Sequence, residues 1–365
     1  MGLIKKHKSI NFSIGQVSSN SEGRIYTATN ITNILHREDY LKLYRGTYYL
    51  DTINLNNITI QSESRDSKLI MTDLIYISGN TKFINLNIEA KRIVLLSGAT
   101  LQLINCYVKK VAENQNDFCI DAKVGKLEIE NSTIDIIESG NLKAPIILGY
   151  NAKISNSSIN SYKFSSTQGT LILDKSRLSG CKLDTSVILD NYFIRSNNSF
   201  INIGTYGLFD IDAQFSEIVM STLPEGDYPY GLSGLISNSK INRLFFYNLR
   251  EGRLIVRNSE IIAREPYYAV MFYNSSIPCS FENCVIKSLA NNSSLFLFFD
   301  SNCIVYLINC YMYTKNYRYV GNDNLMLPFI RTYNCICNSS NDLGIPLDAI
   351  NDNNILIDST IENFE

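Results

Sequence analysis

The chain has 365 residues, 45% of them hydrophobic and 19% charged, with a formal net charge of -2. That is enough apolar sequence for a large core, and too little net charge for a nucleic-acid binder that works through a strong overall field. Nine cysteines, an odd number, disfavour a fully paired disulfide framework and tilt the reading toward a reducing compartment.

At the amino end, Lys5, Lys6, His7 and Lys8 form a short basic run that reads as a solvated terminus. Ile10, Phe12 and Ile14 alternate with polar residues, so no continuous apolar segment of an export signal follows. The cytoplasm is therefore favoured, and an extracellular site is expected only for a chain whose signal has been removed. The longest apolar run, Leu295 to Phe299, is far too short to span a bilayer. Residues 1–40 read as an arm with a capping helix, and 41–365 as one solenoid domain. The helix is predicted over Thr27 to His36, with Thr27 as N-cap and Ala28, Ile31, Ile34 and Leu35 on one face. Its expected task is to plug the open end of the solenoid.

Next comes Leu41-Lys-Leu-Tyr-Arg-Gly46-Thr47-Tyr48, followed by Ile53, Leu55 and Asn57-Ile58-Thr59-Ile60. This stretch resembles the entry coil of pectin-lyase-like and pectinesterase-like proteins, where a strand leads through a Gly-Thr-Tyr turn into a second strand. The resemblance covers residues 19–65 in motif detail and the remainder only as a repeat pattern. It implies an all-β, single-stranded right-handed parallel β-helix with a polysaccharide or glycan as partner. The catalytic signatures of those groups do not carry over. The Gln-Asp pair of the pectinesterases is missing. So are the Asn-Thr-Asp, Gly-His-Gly and Arg-Ile-Lys motifs of the polygalacturonases and the Arg-x-Pro-x-x-Arg of the pectate lyases. The only histidines, His7 and His36, lie in the arm and the cap, which excludes histidine acid–base chemistry in the coils. No P-loop or dinucleotide fingerprint occurs, and no cofactor is expected.

From Leu101 onward a unit recurs: apolar, any, apolar, any, Asn, small, any, apolar. Its first copies centre on Asn105, Asn131 and Asn156, which are 26 and 25 residues apart. Later copies centre on Asn238, Asn258, Asn283, Asn309 and Asn334, at steps of 20, 25, 26 and 25. Period-two alternation rich in Ile, Val, Phe and Tyr predicts short strands with their apolar residues inward. The Asn is predicted at a bend, in a left-handed backbone, bonding along a ladder of equivalents. Between about 171 and 235 the period blurs, and these coils read as irregular. Cys106, Cys284, Cys310 and Cys335 fill the small position that is Ser132, Ser157, Ser239, Ser259 and Ser359 elsewhere, so they read as buried small residues. A metal site drawn from Cys279, Cys284, Cys303, Cys310, Cys335 and Cys337 lacks any Cys-x-x-Cys spacing, and none is expected. About ten Asn-Xaa-Ser/Thr triplets fall mostly within the repeat and read as turn chemistry.

Candidate function sits in three tyrosine-rich segments: Asp227-Tyr228-Pro-Tyr230, Arg264-Glu265-Pro-Tyr267-Tyr268 and Tyr317-Arg318-Tyr319. Tyrosine rings and arginines suit stacking on sugars and bonding hydroxyl or uronate groups, so these residues are the expected carbohydrate contacts. Asp227 with Glu265 is the first candidate carboxylate pair for a hydrolase or lyase, and Asp210 with Asp212 the second. Arg257 and Glu282 should be neighbours on adjacent coils. The functions to weigh are binding or processing of a carbohydrate polymer, a non-catalytic assembly module such as a phage-tail appendage, and an intracellular accessory of glycan biosynthesis. Homo-oligomers are expected to form, if at all, through an open C-terminal end.

Overall fold

The structure is a computed structural model. It describes residues 16–19, 25–110, 119–136, 146–165, 168–181, 189–204, 207–220, 229–264, 268–289, 295–299, 301, 303–314, 320–322, 329–337 and 355–356. Contacts divide the chain into two compact units, 1–146 and 147–365. Both are built of the predicted coil, and the fold is a parallel β-helix.

In the first unit, one face is formed by Tyr40–Leu43, Thr59–Ser62, Asn80–Ile84, Thr100–Ile104 and Lys126–Glu130, paired in parallel. A second face is formed by Thr47–Leu50, Lys68–Ile77, Asn87–Leu95, Tyr107–Lys110 and Thr133–Ile136. Because strand side chains alternate, Leu101 and Leu103 of one coil meet Leu127 and Ile129 of the next inside, all essentially without exposure.

The helix expected over 27–36 is corrected to a single turn, Thr32–Leu35. Thr27 ends the strand Ile25–Thr27 and caps nothing; the residue before the helix is Ile31, which offers no side-chain cap. The reason is competition from the next coil. The Ile31 N–H donates to the Tyr49 carbonyl at 3.0 Å and the Tyr49 N–H to the Thr29 carbonyl at 2.7 Å, which ties the chain around Asn30 to the next coil as a parallel bridge. The edge of the first face at Tyr40–Leu43 is instead covered by Gln16–Ser19, paired antiparallel to it and to Ile25–Thr27.

In the second unit the first face runs through Asn151–Ser155, Gly169–Asp174, Leu189–Asn197, Gly207–Gln214, Tyr230–Ser237, Leu254–Arg257, Cys279–Glu282, Ile304–Ile308 and Phe329–Tyr333. The second face includes Arg177–Leu178, Phe200–Ile203, Glu217–Met220, Lys240–Ile241, Glu260–Ala263, Val285–Ser288 and Tyr311–Thr314. A third face carries Leu244–Tyr247, Val270–Tyr273, Phe296–Phe299 and Val320–Asn322.

The corner between first and second faces behaves as its sequence predicts. Asn85, Asn105 and Asn131 in the first unit, and Asn156, Asn198, Asn238, Asn258, Asn283, Asn309 and Asn334 in the second, all have φ between 47° and 56°. Asparagine tolerates this region because its short polar side chain bonds locally. The amides form a ladder: Asn283 donates to Asn258 at 3.2 Å, Asn309 to Asn283 at 3.0 Å and Asn334 to Asn309 at 2.8 Å. In the first unit, Asn105 donates to Asn85 at 2.6 Å, and Arg65 reaches across two coils to the carbonyls of Asn105 and Asn131.

The small residue after each corner is buried, and its hydroxyl works in two directions. Ser239 Oγ donates to the Ser237 carbonyl at 2.7 Å, while its backbone N–H donates to Ser259 Oγ at 3.1 Å. The same contact links Ser157 to Ser176, Ser176 to Ser199, Ser199 to Ser216 and Ser216 to Ser239, at sequence steps of 19, 23, 17 and 23. The blurred stretch is therefore an unbroken run of coils of unequal length, and Lys175 and Phe215 take the Asn position in it with φ of 47° and 50°.

Cysteines fill the same column where the serines stop. Cys284, Cys310 and Cys335 are buried, each thiol donating to the carbonyl two residues earlier. Among the described residues no group of three His, Cys, Asp or Glu is placed to hold a metal ion. Burial pushes the Cys106 thiol up to about 11 and those of Cys119 and Cys303 up to about 12. A thiol kept neutral by the fold stabilises it fully below the unfolded value near pH 9, and that stability is lost as pH rises through 11 to 12. Thermal melts of the reduced protein should therefore fall from about pH 9 upward. A melting temperature that stays flat to pH 11 would contradict this burial.

Candidate functional site

Of the residues singled out from the sequence, Asp227, Tyr228, Glu265, Tyr267, Tyr317, Arg318 and Tyr319 lie outside the described residues. The strands that launch their segments are described. Glu217–Met220, Glu260–Ala263 and Tyr311–Thr314 belong to one face, with Glu217, Lys240, Glu260, Val285 and Tyr311 in one row. All three tyrosine-rich segments thus start from the same edge of the second unit.

Tyr230 requires a correction. It is 1% exposed, and its hydroxyl donates to the Ile203 carbonyl at 2.9 Å, so it is a core residue that cannot stack on a sugar. Its place on an inward strand position decides this. Asp210 and Asp212 both face outward on Gly207–Gln214, and Asp212 pairs with Arg195 of the neighbouring strand at 3.4 Å. Asp210 lies between Phe193 and Ser233. That setting is an exposed strand surface. Tyr268 is half-buried, and Arg264 is exposed.

Among the described residues singled out from the sequence, Arg264 lines a cleft. The cleft encloses about 480 Å³ and is lined by Glu217, Lys240, Asn242, Arg243, Glu260 and Arg264, together with Ile241, Ile262 and Ala263. Its logic is that of the parallel sheet. Glu217, Lys240 and Glu260 are register partners on three successive strands, so their outward side chains stand about 4.8 Å apart along the axis with alternating sign. Glu260 also meets Lys287 at 3.9 Å. Glu217, Lys240 and Arg264 form no ion pair among the described residues. Arg243 is different: it is buried, its Nε donates to the Met220 carbonyl at 2.8 Å, and its guanidinium lies 5.1 Å from the Phe245 ring. It is a lining residue fixed by its own bonds to the neighbouring strand.

Glu217, Lys240, Asn242 and Glu260 were missed by reasoning from motifs. The signal was available, because each sits two or four residues after the corner position and so on an outward row of the repeat.

Two other features of the unit compete for attention. On the first face a shallower hollow of about 440 Å³ is lined by Arg253, Ser280, Glu282, Tyr306 and Ile308. Its Glu282 is engaged by Arg257 of the adjacent coil, Nε to Oε2 at 2.7 Å, as the repeat predicts, and by Ser280 at 3.2 Å. On the third face Tyr247, Tyr273 and Phe299 form an outward column with ring centroids 4.3 and 4.8 Å apart and planes within 6°. Each ring there covers the face of the next, so the column is packing and offers a ligand mainly its edges.

No protein-family model matches the chain, and no curated protein matches it. Among solved structures, the chain is similar to a mutant of the periplasmic alginate epimerase AlgG, at 9% identity and a TM-score of 0.44, with 84% of this chain and 83% of that one covered. No helix among the described residues is long and apolar enough to cross a membrane.

Proposed function

We propose that the chain binds a carbohydrate polymer bearing acidic groups, seated in the cleft between Glu217 and Arg264. The observation that carries this reading is the row Glu217–Lys240–Glu260 beside Arg264 and Asn242, at the roots of the tyrosine-rich segments. Cations spaced by one coil suit anionic groups repeated along a chain, and the carboxylates and the Asn242 amide suit the intervening hydroxyls. Holding fits the arrangement better than cleavage. Glycoside hydrolysis asks for one sequestered carboxyl acting as acid beside a second carboxylate. Here Glu217 is exposed and Glu260 half-buried, with Lys240 between them.

The test is a titration of uronic-acid oligomers, sulfated glycans and neutral glucans against the reduced protein. Uronic-acid oligomers should bind, neutral glucans should not, and affinity should fall as salt rises. The K240A and R264A variants should each weaken binding about tenfold, the loss of one charge-assisted hydrogen bond. Equal binding of neutral and acidic polymers, or wild-type affinity in both variants, would overturn the reading.

A further inference from the structure

The first-to-second corner of residues 147–365 breaks its own rule twice. Seven described positions there are asparagine, and the other two are Lys175 and Phe215, held in the same left-handed backbone with φ of 47° and 50°. Neither substitution is forced by the fold, because Asn156, Asn198 and Asn238 on the neighbouring coils occupy the position without difficulty. A bulky residue at positive φ is strained, and both side chains forgo the amide ladder. Phe215 also remains 61% exposed, so it gains little burial in exchange. Local rules broken without a structural return mark functional positions.

Their placement says what they serve. Lys175, Asn198 and Phe215 are corner residues of three successive coils: the Lys175 N–H donates to the Asn197 carbonyl, Asn198 to Gln214 and Phe215 to Ser237. Lysine and phenylalanine therefore stand two coil steps apart, about 10 Å. Two residues further along each coil lie Arg177, Phe200 and Glu217, a row in which Arg177 covers the Phe200 ring at 3.9 Å. Glu217 is the first residue of the cleft row that continues to Lys240 and Glu260. The corner pair is thus continuous with the cleft.

We propose that Phe215 and Lys175 form an outer subsite for the polymer held in the cleft. The exposed Phe215 ring stacks on the apolar face of one sugar ring, and the Lys175 ammonium meets an acidic group further along the chain. This rests on the reading of the cleft given above. It predicts opposite effects on stability and binding. F215N and K175N each restore a residue suited to the backbone, so each should raise the melting temperature by about 2–4 °C. Each should also weaken binding of uronic-acid oligomers about fivefold to tenfold, and F215Y, which keeps the ring, should bind within about twofold of wild type.

The experiment is calorimetric titration of wild type, F215N, K175N, F215Y and K240A with the same uronic-acid oligomer, with a thermal melt of each. Weaker binding together with a higher melting temperature in both asparagine variants supports the subsite. If K240A weakens binding and the asparagine variants do not, the subsite is overturned and the cleft stands. Loss of affinity in F215Y equal to that in F215N overturns the stacking role. A wild-type protein that binds no oligomer overturns both.

Discussion

Truncating Phe272 to alanine should lower the unfolding free energy by about 3–5 kcal/mol. Phe246, Phe272 and Phe298 stack inside the second unit, one per coil, with centroids 4.8 and 5.1 Å apart and nearly parallel planes. All three are essentially without exposure. Phe272 is the middle ring, so its removal opens a cavity and costs both neighbours a packing face. Parallel strands above and below fix the backbone on either side, which limits how far the site can collapse. Urea denaturation checks this, through a lower midpoint at an unchanged slope. A loss under about 1 kcal/mol would mean that the column is not packed as described.

The second large effect separates two roles of the corner asparagine. N283A should destabilise by about 2–3 kcal/mol, because alanine is strained at φ of 53° and breaks the ladder to both Asn258 and Asn309. N283G should cost about 1 kcal/mol, since glycine accepts this backbone and loses only the amide contacts. The ordering is the informative part. If glycine costs as much as alanine, the ladder rather than the backbone dominates; if alanine is harmless, the left-handed corner is wrong.

The same corner explains what could be read from the sequence. The regular steps around Asn105 to Asn156 and Asn258 to Asn334 reveal the coil because one position demands an uncommon backbone and asparagine meets it. The stretch from Leu171 to Tyr230 looked irregular because Lys175 and Phe215 hide two corners and because the coils shorten to as few as 17 residues. Those changes alter coil length while the strands still pair in parallel, with one register shift between Leu189 and Tyr192, and a search for fixed spacing cannot see that pairing. The helix over 27–36 was over-read because an apolar stripe at helical spacing can also face a core from extended chain; pairing with Tyr49 decides between them. The third-face columns of Phe246, Phe272 and Phe298 were missed although their strands end on corners of the same kind: Asn248 and Asn274 have φ of 53° and 45°, and the Asn274 amide donates to Asn248 at 2.8 Å.

The candidate site was harder to read for a physical reason. Tyrosines draw the eye, yet Tyr230 is consumed by the core and the outward tyrosine column by its own stacking. The candidate site is instead a row of charges that only register brings together. Glu217, Lys240 and Glu260 are 23 and 20 residues apart along the chain and one strand apart in space. Each alone reads as an ordinary surface charge.

A crystal structure of the reduced protein soaked with a uronic-acid oligomer tests the central claim most directly. The account predicts the oligomer along the row Glu217–Lys240–Glu260, with acidic groups at Lys240 and Arg264 and a sugar ring against Phe215. An oligomer bound away from this row, or strands that bring residues other than Glu217, Lys240 and Glu260 into line, would contradict it.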